Sequence, residues 1–435
     1  MQTNIAEKLM AQADVRHSEG IFRNCVHCGF CNATCPTYQL TGNELEGPRG
    51  RIYLMKSVLE ERAPLNATVV AHLDSCLSCL SCETTCPSGV RYSHLIDAMR
   101  IRIEKTHRRG VMETLQRAML AWMLPHPGRF RWAMRMGALA RPLARFAPRS
   151  MRGMMEAIPP TLPPPSKLLD YRVHVAQGAR HMRVALLTGC AQEVLGGRIN
   201  EATIRLLTRL GCEVVLPPEA GCCGALTYHL GKEKSALPLM RKLIDVWYAE
   251  WERGGLDHIV INTSGCGAVV REYGHIFRDD PQYAQKAARV SELAVDFSEV
   301  VADLGLPVEG HAVRGPSPRD VRVAYHDACS LQHAQKVRAE PRAILRDAGF
   351  EVVDVPQGHL CCGSAGTYNL LHPATAEQLG RQKGAHVMST RPTVVAAGNI
   401  GCMEQIARHV NVPVLHTAEL LDWATGGTVP PELEK

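Results

Sequence analysis

Two short stretches of this chain repeat one cysteine pattern. Residues 25–36 read CVHCGFCNATCP and residues 76–87 read CLSCLSCETTCP, so both follow the spacing C-x2-C-x2-C-x3-C-P. Three thiolates on one tight loop can bind three metal atoms of a compact cluster, whereas the fourth, held beside a proline, points away and ligates a neighbouring cluster. The two runs therefore predict two metal centres that exchange their fourth ligands.

The same spacing is typical of ferredoxins with two [4Fe–4S] clusters. We expect one cluster on Cys25, Cys28, Cys31 and Cys86, and the other on Cys76, Cys79, Cys82 and Cys35. Structural zinc commonly uses two separated C-x2–4-C pairs, a pattern that neither run follows. Residues 1–20 contain no basic stretch followed by an apolar one, so we expect a cytoplasmic chain whose cysteines bind metal instead of forming disulfides.

The forty residues between Cys35 and Cys76 have helical patterns, as in GPRGRIYLMKSVLEERAP. Small β-hairpin ferredoxins have no such insertion, so residues 1–98 are predicted to form a helical ferredoxin domain. Arg49 and Arg51 have two interpretations at this point. Either they offset the negative charge of a thiolate-ligated cluster, or they belong to an exposed basic turn.

Residues 99–157 form a basic, methionine-rich segment. Between Met99 and Met155, twelve arginines and one lysine stand against two glutamates, a net charge of +11, although the whole chain carries only +6. Apolar and aromatic side chains are interleaved with these charges, as interfacial helices require. We expect this segment to dock on a membrane surface, on a partner protein, or on both. The acidic remainder of the chain and the lack of a recognised binding motif argue against nucleic acid.

A proline-rich stretch within residues 158–181, IPPTLPPPSK, is predicted to be a linker. Beyond it the sequence contains an internal repeat. RVALLTGC matches RVAYHDAC, GCCG matches LCCG, and INTSGC matches AAGNIGC, with offsets of 136 to 139 residues. We place the first unit at residues 182–310 and the second at residues 311–435.

Each unit alternates short apolar strands with amphipathic helices, which indicates parallel, doubly wound sheets. The predicted strands are Val184–Leu187, Val214–Leu216 and Ile259–Ile261 in the first unit, and Val321–Ala324, Val352–Val355 and Val394–Ala397 in the second. Cysteines follow the carboxyl ends of these strands. Open α/β sheets bind their ligands at that edge, so both units are predicted to carry a site there.

A two-cluster ferredoxin module followed by C…CCG…GC twice resembles the cysteine-rich (CCG) domain family, and within it the iron–sulfur subunits of glycolate oxidase. The fold class is therefore expected to be α plus α/β. The resemblance implies an electron-transfer subunit that takes electrons from FAD on partner catalytic subunits of a glycolate oxidase complex. Electrons would pass toward a quinone-type acceptor, with the chain peripheral on the inner face of the cytoplasmic membrane.

Each repeat offers four cysteines, because the family's closing C-x-x-C is absent: Val269 and Gln405 stand where a fifth cysteine would be. A further Fe–S cluster in one or both repeats and buried packing thiols are both left open by the sequence. The residues concerned are Cys190, Cys222, Cys223 and Cys266 in the first repeat, and Cys329, Cys361, Cys362 and Cys402 in the second.

Four other residues can be assigned from the repeat or from their position near cysteines. Cys212 pairs with an apolar residue and is predicted to be a core residue, and His27, His326 and His359 are predicted to lie outside any ligand set.

Three other functions remain as alternatives. The chain could be the iron–sulfur subunit of a lactate or glycerol-3-phosphate dehydrogenase, or a catalytic subunit of the heterodisulfide reductase type. It could also be a redox sensor or scaffold whose clusters only stabilise the fold. No G-x-G-x-x-G follows a predicted strand, so we expect no dinucleotide site in this chain.

Overall fold

The computed structural model describes residues 1–142, 158, 162–307 and 316–434. In chain order these residues form a helical cysteine-containing part, a helical hairpin and two α/β units. The predicted boundary between the two α/β units, at residues 310 and 311, lies outside the described residues. So do Arg145, Phe146 and three methionines of the basic segment.

The N-terminal part consists of short helices around one apolar core. Val15, Phe22, Met55, Leu73 and Ile96 are among the residues buried there. The helices are α1 (Glu7–Met10), α2 (Ala13–Asn24), α3 (Phe30–Ala33), α4 (Pro36–Thr41), α5 (Pro48–Leu59), α6 (Ala67–Asp74), α7 (Ser81–Thr85) and α8 (Tyr92–Thr106). Pro36 and Pro48 stand in the first turns of α4 and α5, where the missing N–H costs no hydrogen bond.

The basic segment continues into a hairpin of α9 (Val111–Met123) and α10 (Pro127–Ala140). Its inner face packs against the first α/β unit, where Leu120, Leu124 and Phe130 share a cluster with Val194 and Leu230. Within the described part of the chain, no helix is long and apolar enough to cross a membrane.

The first α/β unit contains a five-stranded sheet in the order β1-β3-β2-β4-β5. Its strands are β1 (Val173–His174), β2 (Met182–Leu187), β3 (Cys212–Val215), β4 (His258–Ile261) and β5 (Ala294–Asp296). Its helices are α11 (Cys190–Leu195), α12 (Gly197–Arg209), α13 (Ala225–His229), α14 (Glu233–Gly254), α15 (Ser264–Val270), α16 (Tyr273–Ile276), α17 (Ala284–Leu293) and α18 (Phe297–Leu304).

The second unit contains a four-stranded parallel sheet in the order β7-β6-β8-β9. Its strands are β6 (Arg322–His326), β7 (Glu351–Asp354), β8 (Val394–Ala397) and β9 (Val414–His416). A π-helix (Ser330–Gln335) follows β6. The α-helices are α19 (Glu340–Asp347), α20 (Tyr368–Leu371), α21 (Pro373–Met388), α22 (Ile400–Ile406) and α23 (Thr417–Ala424).

The two sheets repeat one register. Val184 at the centre of β2 pairs with Val214 of β3 and with His258 of β4. Its equivalent Val323 in β6 pairs with Val352 and Val394 in the same way. The predicted α plus α/β class is confirmed, and all six predicted strands are present.

The short strands β1, β5 and β9 were not predicted. β1 adds an antiparallel edge to the first sheet and is formed by residues of the predicted linker.

Helix contacts between the two units are reciprocal. α12 of the first unit packs on α23 of the second, and its counterpart α19 packs on α18. In the same way, α15 of the first unit packs on the π-helix of the second, and α22 of the second unit packs on α11 of the first. One apolar core therefore runs through both units.

Candidate metal centres

The two cysteine loops are wound in the same way. His27 and Gly29 in the first loop have φ of 60° and 89°, and Ser78 and Leu80 at the matching positions have φ of 49° and 60°. Left-handed backbone at both positions turns the chain tightly between successive cysteines. A short helix follows each loop, and the fourth cysteine then adopts extended backbone just before proline.

The four cysteines of the first predicted set lie around one small cavity. Cys25, Cys28, Cys31 and Cys86 line it, together with Cys82 of the second set. Burial raises the pKa of the Cys31 thiol to about 11, and the neighbouring Cys25 and Cys86 thiols add to this shift. Cys86 therefore belongs spatially to the first loop, although it lies in the second run. A cluster fits this set, since its irons would compensate the charge of deprotonated sulfurs.

The cysteines of the second predicted set lie deeper in the protein than those of the first. Cys79 and Cys82 are buried, and burial raises the pKa of both thiols well above 9. Cys35, from the first run, also contributes to both shifts and so lies close to these thiols. Cys76 accepts hydrogen bonds from the Ser78 backbone N–H at 3.4 Å and from the Tyr92 hydroxyl at 3.6 Å. Hydrogen bonds to ligand sulfurs are typical of Fe–S sites and raise their reduction potentials.

Arg51 is buried against the second set, with 1% of its surface exposed. Its guanidinium donates to the Cys35 sulfur at 3.9 Å and to Glu46 at 2.8 Å. The interpretation of this arginine as part of an exposed basic turn is therefore wrong. Arg49 is instead partly exposed, pairs with Glu44 at 2.6 Å and lies at the rim of the first cavity.

The cysteines of the α/β units form two equivalent groups. In the first unit the Cys190 and Cys222 sulfurs are 3.4 Å apart, and in the second the Cys329 and Cys361 sulfurs are 3.9 Å apart. The glycine of each CCG motif donates its backbone N–H to the first cysteine of that motif at 3.4 Å: Gly224 to Cys222, and Gly363 to Cys361. Thus the two groups repeat in three dimensions as they do in sequence.

The glycine of each CCG motif is required by its backbone and by its neighbours. Gly224 has φ +77° and Gly363 has φ +89°. A Cβ at Gly224 would lie 3.2 Å from the Ala236 carbonyl oxygen, and one at Gly363 would lie 2.7 Å from that of Ala376. Only glycine adopts this conformation without strain at so close an approach.

All eight cysteines of the two groups in the α/β units line one large cleft of about 1380 Å³ between the ferredoxin part and the two units. The second ferredoxin set reaches the same region, because Cys79 packs in one cluster with Cys361 and Cys329. The thiols thus extend from the exposed Cys28 through the buried second set to the cleft.

One histidine that was predicted to lie outside any ligand set lies close to these cysteines. His326, at the end of β6, has a ring nitrogen within 4.8 Å of the Cys362 and Cys402 sulfurs, and these two sulfurs are equally close to each other. The sequence did contain a signal for it: the repeat pairs His326 with Leu187, so a polar residue replaces an apolar one at a strand end. Cys212, by contrast, lies in the core as predicted.

A second histidine group joins the ferredoxin part to the first unit. His17 Nε2 lies 3.0 Å from His94 Nδ1, and the His94 ring stacks on His275 with 3.6 Å between centroids. His94 Nε2 contacts Glu272 at 2.9 Å. Both nitrogens of His94 thus have protein partners, and the group acts as a polar junction between the two parts.

Comparison with known proteins agrees with this architecture. The 4Fe-4S dicluster domain family matches residues 21–90, and the cysteine-rich domain family matches residues 184–271 and 323–407. A crystal structure of a hypothetical protein from Helicobacter pylori has a similar fold, with a TM-score of 0.55 over 97% of this chain and 74% of that one at 10% identity. A dicluster ferredoxin domain joined to two cysteine-rich repeats defines an iron–sulfur protein of the electron-transfer class.

Full-length relatives narrow this class. The glycolate oxidase iron-sulfur subunit of Escherichia coli (strain K12) is 43% identical over 98% of this chain and 99% of its own length. The probable glycolate oxidase iron-sulfur subunit of Bacillus subtilis (strain 168) is 33% identical over 94% of this chain and 96% of its own. The chain belongs to the family of glycolate oxidase iron–sulfur subunits. The predicted resemblance and the predicted [4Fe–4S] cofactors are thereby confirmed.

More distant relatives share only part of the architecture. Lactate utilization protein A of Bacillus licheniformis is 28% identical and aligns along 99% of its own length, but with only 55% of this chain.

Proposed function

We propose that this chain carries electrons from FAD on a partner subunit that oxidises glycolate toward a quinone-type acceptor. The observation that supports this most is the continuous arrangement of thiols from an exposed loop to a buried cleft. When bound, [4Fe–4S] clusters accept and release single electrons. The ligand sets are the crossed ones: Cys25, Cys28, Cys31 and Cys86 for the outer cluster, and Cys76, Cys79, Cys82 and Cys35 for the inner cluster.

The outer set is the proposed side of electron entry. Cys28 is exposed, and it is surrounded by apolar side chains that face solvent: Val26 is 68% exposed, Phe30 63% and Tyr53 50%. Exposed apolar groups clustered around a redox centre are what a protein partner would cover. We therefore place the FAD-binding subunit on this face.

The inner set and the cleft form the proposed exit. The buried Arg51 and Arg100 guanidiniums lie beside this set, where Arg100 donates to the Cys76 carbonyl oxygen at 2.5 Å. Fixed positive charges next to a thiolate-ligated centre favour its reduced, more negative form. Electrons are therefore held preferentially at the inner set, next to Cys329 and Cys361.

The hairpin of α9 and α10 is the proposed attachment surface. Its outward face exposes Val111, Leu115 and Trp122 on α9, and Trp132 and Leu139 on α10. Arg135 and Arg141 are exposed beside them. An apolar face flanked by arginines suits the interface of an anionic membrane, where a quinone is dissolved.

The function is tested by purifying the chain anaerobically with its native partners. We expect a flavoprotein to co-purify, and glycolate to reduce both clusters, as followed by electron paramagnetic resonance. Lactate, 2-hydroxyglutarate and glycerol 3-phosphate serve as competing substrates in a dye-reduction assay. Clusters that stay oxidised with glycolate but are reduced by one of the others would overturn the substrate assignment, and absence of any flavoprotein would overturn the partner.

The entry face has its own test within the complex. Phe30→Ser should slow glycolate-dependent cluster reduction or weaken association with the flavoprotein, while the iron content stays unchanged. Leu115→Ser, an equally exposed apolar position on the hairpin, is the matched control. Equal effects of the two variants would contradict the placement of the partner around Cys28.

A further inference from the structure

His326 is a buried imidazole without a hydrogen-bond partner. The residue is 1% exposed, and neither Nδ1 nor Nε2 has a hydrogen-bonding partner among the described residues. A buried polar group left in this way destabilises a fold by about 1–3 kcal/mol. Native proteins retain such groups where something else satisfies them.

Two cysteine sulfurs lie close to this ring. One ring nitrogen of His326 and the sulfurs of Cys362 and Cys402 all lie within 4.8 Å of one another. The other two cysteines of the second unit, Cys329 and Cys361, lie beside them, since each contributes to the raised pKa of the Cys402 thiol. Five soft donor atoms thus converge behind the cleft. Imidazole and thiolate are the ligands preferred by zinc and by iron in Fe–S clusters.

The first unit shows that the fold itself does not need an imidazole here. Leu187 occupies the equivalent position at the end of β2 and packs in an apolar cluster with Ala185 and Ile259. The cysteine arrangement is the same in both units, but the histidine is present only in the second. We therefore attribute the presence of His326 to what the second unit binds, and not to a requirement of the fold.

A buried lysine gives independent support. Lys383 of α21 is 2% exposed, and its ammonium donates to the Gln357 carbonyl oxygen at 3.0 Å. No carboxylate of the described residues lies within ion-pair distance of it. Its charge does act on the Cys361, Cys362 and Cys402 thiols. Buried charges are normally compensated. Asp327 acts on this lysine from beyond ion-pair distance, and a thiolate-ligated cluster would add negative charge beside it.

We propose that the second cysteine-rich unit binds an iron–sulfur cluster in which His326 is a ligand together with cysteines of the group Cys329, Cys361, Cys362 and Cys402. Fe–S clusters take four protein ligands, and imidazole replaces thiolate at one iron of some of them, so His326 with three of these cysteines makes a complete ligand set. Replacement of thiolate by imidazole raises the potential of an Fe–S centre. The second unit would therefore hold the higher-potential centre, next to Cys79 of the inner ferredoxin set.

Spectroscopy of the wild-type complex provides the first test, because it needs no substitution. Protein labelled with [15N]histidine is purified anaerobically and partly reduced, and pulsed electron paramagnetic resonance is recorded. We expect one strongly coupled 15N nucleus from a metal-bound imidazole. This coupling should vanish in His326→Cys and persist in the control His359→Leu, a histidine of the same unit that contacts no sulfur in the described structure.

Metal analysis and potentiometry complete the test. His326→Leu carries the residue found in the first unit, so it should fold and lose iron from the second unit. His326→Cys should keep its iron and show a more negative midpoint for that centre. Absence of 15N coupling together with unchanged iron in His326→Leu, or stoichiometric zinc in this unit, would overturn the proposal. Glycolate-dependent reduction of the two ferredoxin clusters is independent of His326 and tests the proposed function separately.

Discussion

The cysteines of this protein occupy three environments, and the neighbours of each thiol determine its role. Eight lie on two identically wound loops, eight follow strand ends, and Cys212 packs in an apolar core. What distinguishes the first two groups is a set of donors aimed at sulfur: backbone N–H groups, the Tyr92 hydroxyl and the Arg51 guanidinium. Cys212 has none of these.

The two clusters are predicted to exchange their fourth cysteine ligands, Cys35 and Cys86. Single substitutions of these cysteines test that prediction. Cys35→Ser should damage the inner cluster, whose other ligands are Cys76, Cys79 and Cys82, and leave the outer cluster largely intact. The reason is that the Cys35 thiol lies close to the Cys79 and Cys82 thiols and does not line the outer cavity. Iron content and electron paramagnetic resonance check this, with Cys86→Ser as the reciprocal variant. Selective loss of the outer cluster in Cys35→Ser would falsify the crossed assignment.

At the scale of elements, the turn of the first CCG motif requires Gly224. Gly221, in the same motif, serves as the control position. Gly224→Ala should destabilise the protein by about 1–3 kcal/mol, because φ at this position is +77° and the new Cβ meets Met240 at 2.9 Å. Gly221→Ala in the same motif has nothing within 4 Å and should be close to neutral. Thermal unfolding of the two variants side by side measures the difference. Equal midpoints would show that the turn tolerates a side chain.

Strands and loops differ in how far their sequences predict them. The six longer strands were predictable, since each contains β-branched or aliphatic residues in succession, and all but β7 are largely buried on both faces. β5 and β9 are only three residues long and end at the capping residues Asp296 and His416, so they contain too few residues for a periodic signal. β1 was missed because its two residues pair with β3, a partner distant in sequence.

The candidate site was predictable to a similar extent. Cysteine spacing is local and indicated both loops, whereas burial of Arg51 and the approach of His326 to sulfur depend on tertiary packing. No local pattern encodes those contacts.

The hairpin of α9 and α10 yields a prediction about membranes. Its arginines have different roles: Arg131 donates to the Pro163 carbonyl oxygen at 2.6 Å and Arg117 pairs with Asp74 at 3.1 Å, so both stabilise the fold. Arg135 and Arg141 are exposed. Arg135→Gln with Arg141→Gln should therefore weaken flotation of the complex with anionic liposomes, as should high salt, without changing stability.

Two controls keep this experiment specific. Neutral liposomes should bind the wild-type complex weakly, and Arg16→Gln, on the ferredoxin part, should leave flotation unchanged. If the intact complex never floats with anionic lipid at low salt, the hairpin covers a protein partner instead.

At the scale of the whole molecule, the junction of three histidines connects the ferredoxin part to the first α/β unit. Burial lowers the pKa of His17, and burial together with the neighbouring His94 lowers that of His275 to about 3. The charged groups that face the junction are Arg91, Arg278, Glu272 and Asp279. Arg91 also pairs with Glu272 across the junction at 2.7 Å.

Acidification should weaken this junction. The pKa of His275 is lower in the folded protein than the value of 6.5 expected when it is exposed, so the unfolded or separated state binds more protons below pH 6.5. The junction's contribution is therefore fully present above pH 6.5 and falls as pH drops below it, by at most about 1.4 kcal/mol per pH unit for one histidine. We expect the thermal midpoint to fall between pH 6.5 and pH 5.0, and to fall less in His275→Gln. His181→Gln, at an exposed position, should behave like the wild type. Comparison of variants at each pH removes the contribution of cluster lability, which all of them share. An identical pH response in His275→Gln and the wild type would show that the junction does not titrate as its geometry requires.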